Sequence, residues 1–373
     1  MNSFANTTST PPSANVMLLT KKLEKLPAGG REMLCKLNHD ALHEIYGERF
    51  TLFELAQKPA RGLASIINAF RGHIDGLTSE SIAEALREIR KNKVTKIFVD
   101  GSNFGEFIKA VKTQCPEIQI YTFFHNVEVR FFLGALRQNK TPKALAVLLV
   151  NYFAEKKSVK YSDKIICLSE RDSLLLHQIY GRTATHISPM ALQDKLPARG
   201  AGSNANQHGK FALFVGGVFY ANRAGITWFV KNVAPRISVK TCIVGKGFEG
   251  LKEELQLEGK VEVVGEVESL ADWYRKSYFV IAPIFDGSGM KTKVAEALMF
   301  GKKLIGTSEA FSGYEEIAER AGRVCDSADD FVAAIEAADD IVTSPFDSEL
   351  RATYEATYSY AAGRARLEAI VNA

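Results

Sequence analysis

The sequence predicts an α/β protein built from two parallel-sheet domains, and three observations carry this. Short apolar, β-rich runs alternate with helical patterns, and such alternation implies parallel strands joined by right-handed crossovers. The alternation stops over Leu192–Lys210, LQDKLPARGAGSNANQHGK, where Gly, Ala, Asn and Ser dominate as in a flexible connection. It starts anew at Phe211, and 373 residues are enough for two domains. The expected organisation is a disordered lead-in (1–14), a first domain (15–195), a linker (196–209), a second domain (210–345) and a closing helical segment (346–373).

In the first half, Asn15–Thr20 reads as a buried strand. The loop KKLEKLPAGGRE comes next, then a helix to about Tyr46. Gly29-Gly30 at that helix start leaves bare N–H groups for something anionic or polar, although GG before a helix also serves as a plain turn. Phe50–Leu55 is strand, Pro59–Arg90 helical with a break near Gly72–Gly76, Lys96–Asp100 strand and Phe104–Thr113 helix. Strand Ile118–Phe124 ends in His125-Asn126-Val127-Glu128, a polar cluster where open α/β sheets bind ligands. Asn126 and Glu128 fit helix capping, as N-cap and first-turn carboxylate; His125 fits a ligand. Thr141-Pro142 splits Phe131–Lys164 into two helices. Within it Ala144–Phe153 is apolar nearly all round, and Lys156, Lys157, Lys160 and Lys164 come after it, which fits either membrane docking or a buried interdomain helix. Lys164–Ser169 is strand, Glu170–Tyr180 helix and His186–Pro189 strand.

In the second half, strand Phe211–Val215 leads through GGVFYANRAG to a helix at Ile226–Val233. Thr241–Val244 is strand, succeeded by Gly245-Lys246-Gly247 and a helix through Leu255. Val261–Val264 is strand, Leu270–Lys276 a short helix, and Tyr278–Pro283 a buried strand. Asp286–Gly306, DGSGMKTKVAEALMFGKKLIG, then makes a glycine turn and a helix from about Lys291. Val294, Ala295, Leu298 and Met299 form the helix's apolar face, Gly301 caps its end, and Lys303–Gly306 is strand. Ala318–Gly322, strand Arg323–Cys325, helix Asp329–Ala337 and the helical stretch Ser348–Val371 complete the chain.

Composition is that of a globular protein, 46% hydrophobic and 24% charged, without an apolar run long enough to span a bilayer. MNSFANTTSTPPSA lacks the basic region and apolar core of a signal peptide. Cys35, Cys115, Cys167, Cys242 and Cys325 are scattered without metal-ligand spacing, which fits a reducing, cytoplasmic setting. Charge is uneven, +9 over residues 1–209 and −5 over the rest. A basic first half can meet anionic lipid headgroups or a lipid pyrophosphate, or be ordinary surface; no nucleic-acid partner is expected.

The glycine turn carries the chemistry. Gly287 and Gly289 let backbone approach a ligand, and the helix start after them offers free N–H groups and a positive dipole end. Lys291 and Lys293 add cations where a first turn disfavours them, which makes sense against a diphosphate. Glu296, one turn on, can accept from sugar hydroxyls. An ordinary βαβ turn with solvated lysines is the alternative.

D-G-S-G-M-K-T-K-V-x-E-A-L-x-x-G-K-x-L-I-G-T resembles the donor-sugar signature of GT-B glycosyltransferases, in particular the retaining family-4 type. The resemblance implies two Rossmann-like domains facing a cleft, with a last helix crossing back to the first. It implies Asp286 near the donor hexose and Glu296 on the nucleotide ribose. Nine residues separate this pair where the common pattern has seven, as in a branch with G-S-G-x-K/R-x-K. P-x-G-G-x-E resembles the family's N-terminal glycine loop, and His125 sits as its sugar-proximal histidine does. The family's Arg and Lys after the first strand of the second domain fall on Val218 and Ala224 here. Arg223 is adjacent but out of register. The diphosphate cations are therefore expected to be Lys291 and Lys293, with help from Lys246 or Arg223. Catalytic roles are implied for His125, Asp286 and Lys291. Donor contacts are implied for Gly29, Gly30, Gly287, Ser288, Gly289, Met290, Thr292 and the residues already named. The implied activity is transfer of a sugar from a nucleotide-diphosphate sugar to a saccharide or lipid-linked acceptor, without cofactor or metal. Surface-polysaccharide assembly at the inner membrane leaflet is the implied setting. A GT-B nucleotide-sugar epimerase and a catalytically silent GT-B scaffold stay open.

Overall fold

The computed structural model describes residues 14–25, 29–56, 63–196 and 210–373. The expected lead-in except Ala14, residues 26–28 of the first loop, 57–62, and the expected linker except Leu196 lie outside the described residues.

The first sheet holds β1 (Val16–Lys21), β2 (Phe50–Leu55), β3 (Lys96–Asp100), β4 (Gln119–Phe124), β5 (Lys164–Cys167) and β6 (His186–Ile187). They pair in parallel in the order β2-β1-β3-β4-β5-β6. Its helices are α1 (Gly30–Tyr46), α2 (Leu63–Phe70), α3 (Ser79–Lys91), α4 (Gly105–Gln114), α5 (Glu128–Asn139), α6 (Pro142–Tyr161) and α7 (Glu170–Tyr180). The second sheet holds β7 (Phe211–Val215), β8 (Lys240–Val244), β9 (Val261–Gly265), β10 (Phe279–Ala282), β11 (Leu304–Gly306) and β12 (Gly322–Val324). These too are parallel, in the order β12-β11-β10-β7-β8-β9. Its helices are α8 (Tyr220–Asn232), α9 (Lys252–Leu255), α10 (Leu270–Lys276), α11 (Thr292–Met299), α12 (Ala318–Ala321), α13 (Ala328–Glu336) and α14 (Ala338–Ile341); α15 (Ser348–Thr353) and α16 (Tyr360–Asn372) close the chain.

Helices on both faces explain why β7 and β10 are buried at every position rather than alternating. Strand order reverses between β1 and β3 in the first sheet and between β7 and β10 in the second, and ligands bind outside the carboxyl ends at such points. Those ends are Lys21 and Asp100 in one sheet, and Gly216-Gly217 and Pro283–Asp286 in the other. The last helix does cross back: Arg364 pairs with Glu44 of α1 at 2.9 Å, and Leu367, Ile370 and Val371 join the apolar cluster holding Leu34, Leu42 and Ile45.

Three local expectations need correction. Ser348–Val371 is not one helix: a five-residue π turn, Tyr354–Tyr358, ends at Ser359, whose hydroxyl accepts from Ala362 N–H and starts α16. The Tyr358 carbonyl and Tyr360 N–H both bond Leu192 there, so the break seats the chain on the first domain. α8 starts at Tyr220 rather than Ile226, because Gly225 lies inside the helix: a Cβ there would stand 1.7 Å from the Pro283 carbonyl oxygen. Asn126 does not cap α5. Val127 is the N-cap residue, and the buried Glu155 carboxylate accepts from Glu128 and Val129 N–H at 3.0 and 3.4 Å. Burial first, and then the neighbouring Glu128 charge, push the Glu155 carboxyl up to about 7.

Candidate functional site

The glycine turn leaves β10 and crosses to the first domain. Gly287 (φ 147°) and Gly289 (φ 66°) take backbone conformations that side chains disfavour. A Cβ on Gly289 would lie 2.9 Å from the His125 carbonyl oxygen, so the turn closes directly on the end of β4. Ser288 Oγ donates to the Val127 carbonyl at 3.2 Å. Asp286 accepts from Arg130 Nη1 of α5 at 2.9 Å and from Gly287 N–H at 2.8 Å. Two helix starts also face each other: a Cβ on Gly30, at the start of α1, would lie 2.5 Å from Thr292 Oγ1 on α11. Beside Gly30, Gly29 N–H already donates to Glu32 at 3.2 Å.

The two lysines differ. Lys291 Nζ donates to Glu309 at 3.0 Å and to the Gly289 carbonyl at 2.8 Å, so it has a carboxylate partner. Glu309 also takes a forked contact from Arg171 of α7, at 2.8 and 3.2 Å. Lys293 lies beneath the loop after β7. Its ammonium donates to Asn222 Oδ1 at 2.9 Å and sits 4.4 Å from the centre of the Phe214 ring; Asn222 Nδ2 in turn donates to the Gly217 carbonyl. No carboxylate of the described residues lies within ion-pair distance of Lys293. Burial, and then the charge of Lys291, bring its pKa down to about 7, although Glu296 acts the other way. Met290 packs with Met190, whose N–H points at its sulfur at 3.5 Å.

Glu296 is buried at the junction of the halves. Its carboxylate accepts from Tyr274 Oη at 2.9 Å and meets Lys195 Nζ at 3.4 Å. Arg223 pairs with Glu254 and Lys246 with Glu266, both at exposed positions; among the described residues neither is paired with the glycine turn.

Across the cleft, His125 Nε2 stands 3.0 Å from Asp100 Oδ1, and Asp100 also accepts from Asn38 and Thr20. Burial alone would raise the Asp100 carboxyl, but His125, Cys35 and Asn38 outweigh it and bring it to about 2. His125 Nε2 thus faces a carboxylate, and the buried Nδ1 is left without a partner. Cys35, Asp100 and His125 hold metal-ligand atoms within 4.8 Å of one another. Burial pushes the Cys35 thiol far up and Asp100 is already filled by donors, so the donor set fits a hydrogen-bond network better than a cation. Arg31 and Glu128 pair at 3.3 Å beside it, and Lys21, Asp75 and Asn103 line the β1/β3 end.

Residues 209–339 match the family model of the glycosyl transferases group 1. The second domain is a group 1 glycosyl transferase domain. No curated protein matches the sequence. Solved structures match over nearly the whole chain. Sucrose-phosphate synthase from Thermosynechococcus elongatus is 16% identical with a TM-score of 0.72, covering 95% of this chain and 98% of its own. HepE of Anabaena, solved with UDP, is 12% identical with a TM-score of 0.67, covering 96% and 99%. The lipopolysaccharide outer core galactosyltransferase WaaB is 12% identical with a TM-score of 0.61, covering 95% and 98%. The fold is therefore GT-B, as the signature implied, and the glycosyl transferase domain is the half that carries that signature.

Arg130, Glu309, Arg171, Asn222, Tyr274 and Asp100 also belong to this site, outside the motifs of the sequence. Asp100 had a signal, a carboxylate ending the apolar strand KIFVD at the carboxyl edge of a sheet. The others contact their partners across 18 to 156 residues of sequence and had none.

Proposed function

We propose that the protein transfers a sugar from a nucleotide-diphosphate sugar to a saccharide or lipid-linked acceptor, with retention at the anomeric carbon. One observation supports this above the rest. Lys293 is a buried ammonium without a carboxylate, set at a helix N-terminus beside a glycine turn and the loop at the β7/β10 switch point. A diphosphate is the counter-ion that such a place suits. Lys291 adds a second cation shared with Glu309, Glu296 takes the ribose, and His125 Nδ1 accepts from a sugar hydroxyl. The backbone of Gly29, Gly30, Gly287, Ser288, Gly289, Met290 and Thr292 lies around the donor, with Asp286 near its hexose. The lysines and helix dipole stabilise the leaving diphosphate while the anomeric bond opens through an oxocarbenium-like state. Arg223 and Lys246 sit at the rim, and reach the donor only if they leave their present partners. The acceptor enters from the first domain. HepE, solved with UDP and with UDP-glucose, and WaaB, a lipopolysaccharide outer core galactosyltransferase, share this fold, which supports UDP-sugars as the first donors to try and a surface glycan as the setting.

A thermal-shift screen against UDP-, GDP-, ADP- and dTDP-sugars tests the donor. A ligand at about a hundred times its dissociation constant stabilises by about 2.7 kcal/mol, an upward shift of several degrees. Lys293→Met should abolish the shift. If no nucleotide sugar shifts the wild-type protein, the reading fails. A catalytically silent scaffold is the second reading, favoured by Asp286 and Lys291 being already engaged by Arg130 and Glu309. Donor binding without transfer or hydrolysis would select it.

A further inference from the structure

We propose that the outer face formed by α2 and α6 docks the protein on an anionic phospholipid bilayer. Docking would give the transferase its membrane partner, and the transferase reading matters here only for why docking is useful. α2 packs beside α6. Ile66, Ile67 and Phe70 of α2 and Leu145, Leu149 and Phe153 of α6 are all exposed, Ile66 and Ile67 at 53% each. On α6 the apolar positions recur every four residues, and Lys156 and Lys160 continue the same stripe. Arg71 just after α2, Arg137 and Lys140 at the end of α5, and Lys143, Lys156 and Lys160 of α6 are exposed as well. Lys156 and Lys160 lie over the rings of Tyr152 and Tyr161, at 5.7 and 5.1 Å.

The charge pattern chooses the occupant. Residues 55–74 and 129–154 contain no Asp or Glu. The nearest acidic groups on α4 and α6 are engaged elsewhere: Glu106 pairs with Lys157, and Glu155 is buried against the start of α5. An apolar stripe flanked by exposed cations, with its neighbouring carboxylates Glu106 and Asp75 held by Lys157 and Lys21, suits a surface that is apolar below and anionic above, which is a bilayer with acidic headgroups. No helix of the described residues is long and apolar enough to cross a membrane, so contact through this face is peripheral. The chain leaving α2 runs to the carboxyl edge of the first sheet. Five residues after α2, Asp75 pairs with Lys21 at the carboxyl end of β1, next to Asn103. A bilayer-held acceptor would therefore present its head group at the first domain's side of the site.

Co-sedimentation with vesicles tests this, comparing phosphatidylcholine alone with phosphatidylcholine mixed with phosphatidylglycerol. The wild-type protein should bind the mixed vesicles, and less so at high salt. Lys156→Gln with Lys160→Gln should weaken binding roughly thirtyfold, and Ile66→Asn with Leu149→Asn by tenfold or more, about the effect of two interfacial charges or two buried apolar side chains. Neither pair touches the donor site, so the nucleotide-sugar thermal shift should be unchanged, which also checks folding. If the wild type ignores anionic vesicles, or both double variants bind as well as it does, the proposal is overturned and an acidic protein becomes the better partner. Loss of the nucleotide-sugar shift in the wild type would sink the transferase reading instead, and leave the vesicle result standing.

Discussion

Lys293 shows what one buried amine implies. An unfolded lysine titrates near its ordinary value of 10.5, while burial and Lys291 hold this one near 7. Between those values the unfolded chain binds a proton that the folded chain does not, so this group makes the fold more stable as pH rises from about 7 to 10.5, and least favourable below 7. A diphosphate reverses the preference, because only the ammonium pairs with it. Donor affinity should therefore fall as pH climbs above about 7, and binding there should take up a proton. Calorimetric titrations in two buffers of different ionisation enthalpy would show the uptake. Lys293→Met should bind the donor weakly with no such slope; an unaltered pH profile in that variant would place the diphosphate elsewhere.

Among the elements, α8 and α11 flank the proposed donor site, and both depend on close approach to β10. α11 is buried from Lys293 to Met299, so the amphipathic pattern read as one apolar face understates its burial. α8 reaches its place only because Gly225 has no Cβ. Gly225→Ala should force helix and strand apart and cost about 1–3 kcal/mol, the range for overpacking. A melting temperature lowered by several degrees would register it; an unchanged one would mean α8 shifts freely. The same glycine made the sequence look like a loop, since nothing local distinguishes a packing glycine from a turn glycine.

Across the whole molecule, the halves are held closed by paired charges: Arg130–Asp286, Arg171–Glu309 and Lys195–Glu296. Gly134 of α5 is part of this closure, with a Cβ there falling 2.7 Å from both Asp286 Oδ2 and Tyr220 Oη. Arg171→Ala removes the fork on Glu309 and a contact to Ser312. Since these groups are half-buried, the loss should favour opening by roughly 1–2 kcal/mol, about tenfold. Small-angle scattering should then report a larger radius of gyration, which donor binding reduces. A scattering curve identical to wild type would show that the fork does not govern closure.

The sequence by itself determined the two domains, the run of strands and helices, and the glycine signature at a helix start. Each of these rests on local pattern: apolar runs the length of a buried strand, a 3.6-residue period, a glycine turn before lysines. Many side chains of the proposed site were named by local pattern too, but not their company. Only the tertiary structure decided that Lys291 already holds Glu309 while Lys293 does not hold a carboxylate, that Arg223 and Lys246 face other partners, and that Asp100 orients His125. It also decided that α6, apolar nearly all round, buries one side on α4 and α5 and leaves the other exposed beside α2. Pairings of this kind join residues far apart in the chain, and they depend on how two sheets and their helices are set against each other, which no local pattern encodes.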